Sequence, residues 1–363
     1  MHKNQSAGVS KMGIFDMHWH GRDWEEASKE TIHHSLQIAD AAGLVGIVAK
    51  PNTKPPLTTR ELCEKYLALA KDAGVSVEFY VNIALTANPD QIKRAFDAMC
   101  KNKRIVAPKV YLGPSTNPEI SVVREDDELV MWSTLAAQGY AGVVECHFEK
   151  KTCMRDDLYD TGNPITWSTK CRPEPVELAS FFTTIGLATA AGFKGTIHAC
   201  HVSTLEVADY VRTHANDPNL PFKLSCGITP HHFIFSNKKL AGPNGYEFKC
   251  NPALRSEYTR TMLEHRVING GIEIIESDHA PHRKCEDAGI HSSGIATGAA
   301  WPFVISYLRR KGATPERIRA LTFTNPVRLY GLDLQPSTKE PDFERLKALK
   351  AFYTFDPFVD LER

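Results

Sequence analysis

The chain has 363 residues, 43 basic against 43 acidic side chains, a formal net charge of zero, and 42% hydrophobic residues. Balanced charge argues against a nucleic-acid surface and against a solvating acidic tail, so the expected partner is a small molecule or another copy of the chain. No run of about 18 apolar residues marks a membrane span, and the N-terminal MHKNQSAGVSKMG lacks the apolar stretch of a secretory signal. The nine cysteines are scattered without a C-x-x-C pair. Cys146, Cys200, Cys226 and Cys250 fall in apolar runs, which predicts reduced, buried thiols, no cysteine-based zinc site and a cytoplasmic protein.

In chain order, residues 13–17 form the first short apolar run, followed by His18-Trp19-His20. Residues 45–49 form the second, with Asn52 just beyond it. Leu62, Tyr66, Leu69 and Ala73 then share one helical face. Residues 76–83 read as a third strand, and Ile92, Phe96 and Met99 as a helix face after it. Residues 105–110 follow, with Lys109 near their end, and Leu129, Trp132 and Leu135 form the next helix face. The remaining strands are 142–146, 195–200, 222–228 and 272–277, trailed in turn by His147, by His201, by a T-P-H-H segment and by Asp278. Eight strands alternating with helices predict parallel βαβ units closed into a (β/α)8 TIM barrel. A doubly wound sheet would want a glycine-rich loop after the first strand, where His-Trp-His stands instead. Residues 150–175 and 280–298 are polar excursions expected on the catalytic face. The expected organisation is one barrel over residues 1–334 and a C-terminal extension, 335–363, packed on it with one short helix.

His18, His20, Asn52, Lys109, His147, His201 and Asp278 all fall at or near the C-terminal ends of predicted strands, and in a barrel those ends converge on one point. His18 and His20 alternate on a strand and so face the same side. His198 lies an odd offset before His201, which predicts that it points outward and packs against helices. Lys109 sits in IVAPKVYLGP. Burial would lower its pKa and leave a neutral amine able to add carbon dioxide, or the side chain would snorkel out of the barrel end. Asp278, in ESDHAPH, is the candidate general base; of His279 and His282 after it, one is expected to touch substrate and the other to pack. Imidazole and carboxylate ligands suit zinc, and manganese or cobalt also fit.

The set H-x-H-x-R, P-N-T-x-P-P, a strand lysine, H-V-S-T, T-P-H-H, N-P-x-L-R and S-D-H-A-P-H resembles the dihydroorotases and their close relatives in the amidohydrolase superfamily, in order from Asp16 to about Gly331. The resemblance implies reversible interconversion of L-dihydroorotate and N-carbamoyl-L-aspartate in pyrimidine biosynthesis, and two divalent metal ions, with zinc expected. His18 and His20 would hold one with Asp278, and His147 and His201 the other. A carbon-dioxide-derived carbamate on Lys109 and a hydroxide would bridge them, with Asp278 as general base and acid. Arg22 and Asn52, completed by His282, match positions that hold the substrate carboxylate, and Asn251 a position that contacts the ring. Residues 113–118, with Ser115 and Thr116, resemble a loop that closes over substrate. A homodimer is common in the family. Lys50 and Gly21 depart from its usual residues without touching a ligand position, and the 150–175 excursion is unlike it. Two rivals remain: a hydantoinase or allantoinase, against which Arg22 and Asn52 argue, and a metal-free scaffold, against which the complete ligand set argues.

Overall fold

Gly46–Ala49, Glu78–Ala84 and Ile105–Leu112 are β-branched or apolar runs with side chains buried on both faces, as parallel strands between helices require. With Phe15–Trp19 before them they form β1 to β4, and Val143–Phe148, Thr196–Ala199, Lys223–Ile228 and Ile274–Ile275 follow as β5 to β8. The computed structural model describes residues 13–114, 117–242, 244–284, 291–337 and 339–362. Every strand pairs parallel with the next, in the order β1 to β8. The ring closes at its C-terminal end, where His20 N donates to His279 O at 2.8 Å and Trp19 bridges His279. This is the (β/α)8 barrel expected from the alternation of strands and helices.

Helices α1 (Ile32–Ala41), α2 (Arg60–Ala68), α3 (Pro89–Lys101), α4 (Glu125–Ala137), α5 (Pro175–Ala190), α6 (Leu205–His214), α7 (Pro230–Ile234) and α8 (Glu257–Asn269) fill the connections. Side-chain caps start several of them: Thr31 accepts from His34 N, Thr59 from Leu62 N, and Asn88 from Gln91 N with Pro89 at the first position. In α4 the buried face is Glu128, Met131, Trp132 and Leu135, and Leu129 is exposed. The expected Leu129 face is therefore corrected by about one residue's rotation, because Glu128 is held inside by Trp132 Nε1 at 3.1 Å and Thr184 Oγ1 at 2.6 Å.

The barrel interior is layered. At the bottom Phe15, Met17, Val48, Tyr80 and Ile274 form an apolar cluster. An irregularity in β1 between Asp16 and Trp19 breaks the alternation. Past it His18 and His20 face the axis above Met17, a common use of a strand bulge. Above the apolar layer lies a fully buried polar one. Lys50, just past β2, reaches across the barrel to Glu145 on β5 and donates to Asn82 Oδ1 at 2.8 Å. Asn82 donates to Glu145 Oε1 at 2.6 Å, Lys109 to Cys200 Sγ at 2.9 Å, and Tyr330 caps Glu145 from below.

Residues after β8 carry α9 (Trp301–Arg310), α10 (Pro315–Arg319), α11 (Asn325–Tyr330) and α12 (Phe343–Lys350). Asp342 N donates to Ala41 O at 2.8 Å and Arg345 meets Asp40 Oδ2 at 2.8 Å, which seats α12 on α1. Tyr353 donates to buried Glu30 and lies 3.2 Å from His279 Nε2. Among the described residues no helix is long and apolar enough to cross a membrane.

Candidate active site

The strand ends open into a cleft enclosing about 520 Å³ of empty space. His18, His20, Arg22, Asn52, His147, His201, Asn251 and Asp278 all line it, with Tyr111, Pro114, Ala280, Ser293 and Gly294. Eight residues spread over most of the chain are thus brought together. Lys109 lies fully buried below, and His282 sits behind Arg22. Ser115 and Thr116 fall outside the described residues. Two of the lining residues carry left-handed backbone, His201 at φ 39° and Asp278 at φ 47°, the sort of strain that collects where function dictates direction.

On one side of the cleft, Asp278 Oδ1 lies 2.8 Å from His20 Nε2 and 3.3 Å from His18 Nε2. The far nitrogens are held by acceptors: His20 Nδ1 by Asn52 Oδ1 at 2.7 Å, and His18 Nδ1 by Glu276 Oε2 at 3.0 Å. Each ring thus has an acceptor behind Nδ1, and His20 Nε2 also lies within hydrogen-bond distance of the carboxylate; with the ring protons on Nδ1, both Nε2 lone pairs would be free for a cation. Burial lowers the pKa of both rings, reinforced at His18 by Lys50 and Lys109, and opposed at His20 by Asp278. For Asp278 burial works against the anion, but the His20 contact outweighs it and holds the carboxyl below its ordinary range. His18, His20 and Asp278 each offer a ligand atom within 4.8 Å of the others, and a divalent cation suits that set.

On the other side, His147 Nδ1 faces His201 Nε2 at 3.0 Å. His147 Nε2 meets Glu149 Oε2 at 3.0 Å, and Glu149 is held by Arg172, which grips Asp156 at 2.8 and 3.1 Å. Burial, then His147, lowers the pKa of His201. Lys109 acts electrostatically on His18, His201 and Asp278, so it lies beneath both halves. Its hydrogen-bond partner is Cys200, and Cys200 with Glu145 outweighs burial to hold the ammonium above its ordinary pKa. The expectation that burial alone would lower that pKa is corrected, because two acids share its layer.

Arg22 Nη2 donates to His282 Nε2 at 2.9 Å, Nη1 lies 3.4 Å from Glu26, and Nε, buried, has no partner. His282 is kept neutral by burial and by Arg22. Asn52 sits beside Arg22 in the cleft wall and also orients His20. Asn251 Oδ1 accepts from Trp167 Nε1 at 3.2 Å. Trp167 opens a π-helical turn, Trp167–Cys171, within the 150–175 excursion. Through Trp167 and through Ser168 Oγ, 2.5 Å from Leu254 O, that excursion braces the segment carrying Asn251 from behind.

His198 is a further correction. It is buried inside the barrel, 2.8 Å from Ser225 Oγ and 3.8 Å from Glu276, and does not pack outward against helices. The strand ends at Ala199, and the left-handed turn at His201 brings both histidines inward despite their odd spacing. Lys50 likewise has a place in the site: it reaches the layer directly under His18. Sequence reasoning missed Glu145, Glu276, Cys200 and Tyr111. Glu145 and Glu276 each stand two residues before a cleft-lining residue, Glu145 on β5 and Glu276 just past β8, and that spacing was the available signal. Tyr111 lines the cleft with a buried hydroxyl that has no partner among the described residues, and burial raises its pKa, so it is a protonated donor.

The (β/α)8 fold is shared with solved hydantoinases and a dihydroorotase. An L-hydantoinase (dihydropyrimidinase) from Arthrobacter aurescens superposes with a TM-score of 0.74 at 19% identity, covering 89% of this chain and 72% of that one. A dihydroorotase from Campylobacter jejuni gives 0.67, also at 19% identity, over 89% and 84%. In sequence the chain is similar to dihydroorotases: 27% identical to that of Methanosarcina mazei over 88% of this chain and 69% of that protein, and 29% identical to that of Halobacterium salinarum over 88% and 72%. No family model matches the chain. The resemblance read from the motifs, to dihydroorotases within the amidohydrolase superfamily, is borne out by these relatives.

Proposed function

We propose that this chain is a metal-dependent hydrolase of cyclic amides whose substrate is L-dihydroorotate, interconverted with N-carbamoyl-L-aspartate. The observation that carries the reading is the pair of converging donor sets with the unpaired Arg22 Nε in the same cleft wall. His18 and His20, through Nε2, and Asp278 would hold one divalent ion. His147 Nδ1 and His201 Nε2 would hold the other, with Lys109, as its carbamate, between the two. Zinc is the expected metal, and such ions polarise a ring carbonyl and lower the pKa of water from 15.7 to about 7.

The chain's own groups do the rest. Asp278, held ionised, takes a proton from the attacking water on the carboxylate oxygen turned away from the ion and returns it to the ring nitrogen as the amide C–N bond breaks. Tyr111 donates its unpaired hydroxyl proton to a substrate oxygen. Neutral His282 accepts from Arg22 and so fixes the guanidinium plane for a carboxylate, a bidentate contact that orients the ring. Asn251, its oxygen engaged by Trp167, turns its amide nitrogen to the substrate.

The hydantoinase reading is favoured by the solved neighbours of that name, but an uncharged ring would leave the buried Arg22 Nε without an anionic partner. The test is ring opening of L-dihydroorotate, hydantoin and allantoin by the wild type and Arg22→Met. A charge-assisted hydrogen bond is worth about 1.5–3 kcal/mol, so kcat/KM for dihydroorotate should fall roughly 10- to 100-fold, with little change for any uncharged ring. Equal losses on all rings would make Arg22 structural, and turnover of hydantoin alone would hand the site to the second reading.

A further inference from the structure

We propose that Glu276 is a positioning residue for both metal positions: one carboxylate oxygen fixes which nitrogen of His18 faces the cleft, and the other anchors the backbone of His201. The inference rests on the metal-binding reading above and adds a residue outside the donor sets. Glu276 directly follows β8, is fully buried, and stands two residues before Asp278. Its Oε2 lies 3.0 Å from His18 Nδ1, and its Oε1 accepts from His201 N. His18 and His201 stand on opposite sides of the barrel mouth, with ring centroids 5.1 Å apart. One carboxylate therefore ties the β1 contribution to the β6 contribution.

With Oε1 taken by the His201 N–H, Oε2 is the acceptor that favours the His18 proton on Nδ1. Nε2 then offers its lone pair toward Asp278, at 3.3 Å, and has no hydrogen-bond partner of its own. Carboxylates placed behind metal-bound imidazoles commonly set the tautomer in this way. The surrounding chain makes room for the carboxylate. A Cβ at Gly227 on β7 would lie 2.6 Å from Glu276 Oε1 and 2.7 Å from its carboxyl carbon, so that glycine clears the space the side chain occupies. His198 Nε2, 3.8 Å from Oε2, closes the remaining side.

The two variants that separate this role from simple packing are Glu276→Gln and Gly227→Ala. A glutamine has one acceptor and one donor end but meets two N–H groups. With its oxygen on His201 N, its amide nitrogen donates to His18 Nδ1, which forces the His18 proton onto Nε2, the atom that faces Asp278. Gly227→Ala removes no polar group and pushes the flexible end of Glu276 aside.

The experiment is zinc affinity of the full chain by chelator competition, together with the ring nitrogen shifts of His18 by ¹⁵N NMR in the metal-free protein. The wild type should show His18 protonated on Nδ1. Glu276→Gln should bind zinc about 10- to 100-fold more weakly and move the proton to Nε2, and Gly227→Ala should weaken zinc in the same direction by less. Wild-type affinity in both variants, with His18 still protonated on Nδ1, overturns the proposal. If Glu276→Gln fails to fold, Gly227→Ala decides. If the wild type itself binds no zinc, the metal reading fails, while the His18 tautomer in the two variants still decides what Glu276 does.

Discussion

The two sides of the cleft are built differently. On the His18–His20 side, three donor atoms already converge, each ring held by an acceptor behind it and the carboxylate kept ionised. On the His147–His201 side two imidazoles meet at 3.0 Å, but Lys109 is turned to Cys200 in a layer that holds its positive charge. The first side needs only an ion. The second needs a chemical change at Lys109, since an ammonium cannot bind a cation and a carbamate can. The contrast teaches that a buried lysine's readiness to react is set by its neighbours as much as by its burial. The buried groups below are two bases, Lys50 and Lys109, and two acids, Glu145 and Glu276, and carbamate formation at Lys109 would put an acid in place of one base where the metal ions would arrive.

Lys109→Ala tests that contrast with the largest effect. It should abolish ring opening and remove most bound metal, what remains being held by His18, His20 and Asp278. Bicarbonate should promote metal uptake by the wild type and leave this variant unchanged, by elemental analysis after dialysis. Native metal content and full activity in the variant would remove the bridging role. Asp278→Asn strikes the preformed side. Loss of a positioned general base and ligand should lower kcat about 10²- to 10⁴-fold, measured by the absorbance of dihydroorotate as it is consumed.

Lys50→Met sharpens the account of the layer below. Removing one partner of a fully buried ion pair leaves Glu145 uncompensated, so stability should fall by about 3–5 kcal/mol in a denaturant titration. An unchanged midpoint would mean that Glu145 takes a proton at little cost. Trp167→Phe is the mildest: it keeps the ring and loses the donor to Cys250 O and Asn251. One hydrogen bond of about 1 kcal/mol should raise KM about fivefold with kcat little changed.

Much of this was legible in the sequence because strand ends in a barrel converge whatever lies between them. His18, His20, His147, His201 and Asp278 could be read as one cluster from their positions after apolar runs. Boundaries were less legible: β1 begins two residues later than its apolar run, and β4 and β5 run on past Lys109 and through His147, since polar residues that face the axis keep strand hydrogen bonds. His198 was misread because alternation holds only along a regular strand, and the turn at His201 resets it. The layer of Lys50, Glu145 and Glu276 was hidden for a related reason. Each looks like an isolated charge in an apolar run, and its partner comes from the far side of the barrel. The excursion at 150–175 is polar in sequence, yet Trp167 and Cys171 bury themselves against Ala253, a contact fixed by tertiary packing alone.

The most direct test of the central claim is one preparation of the purified chain, assayed at once for bound metal and for ring opening of L-dihydroorotate. The account predicts close to two divalent ions per chain and turnover that is lost on chelation and restored by zinc. A chain that binds no metal and leaves dihydroorotate intact would contradict it.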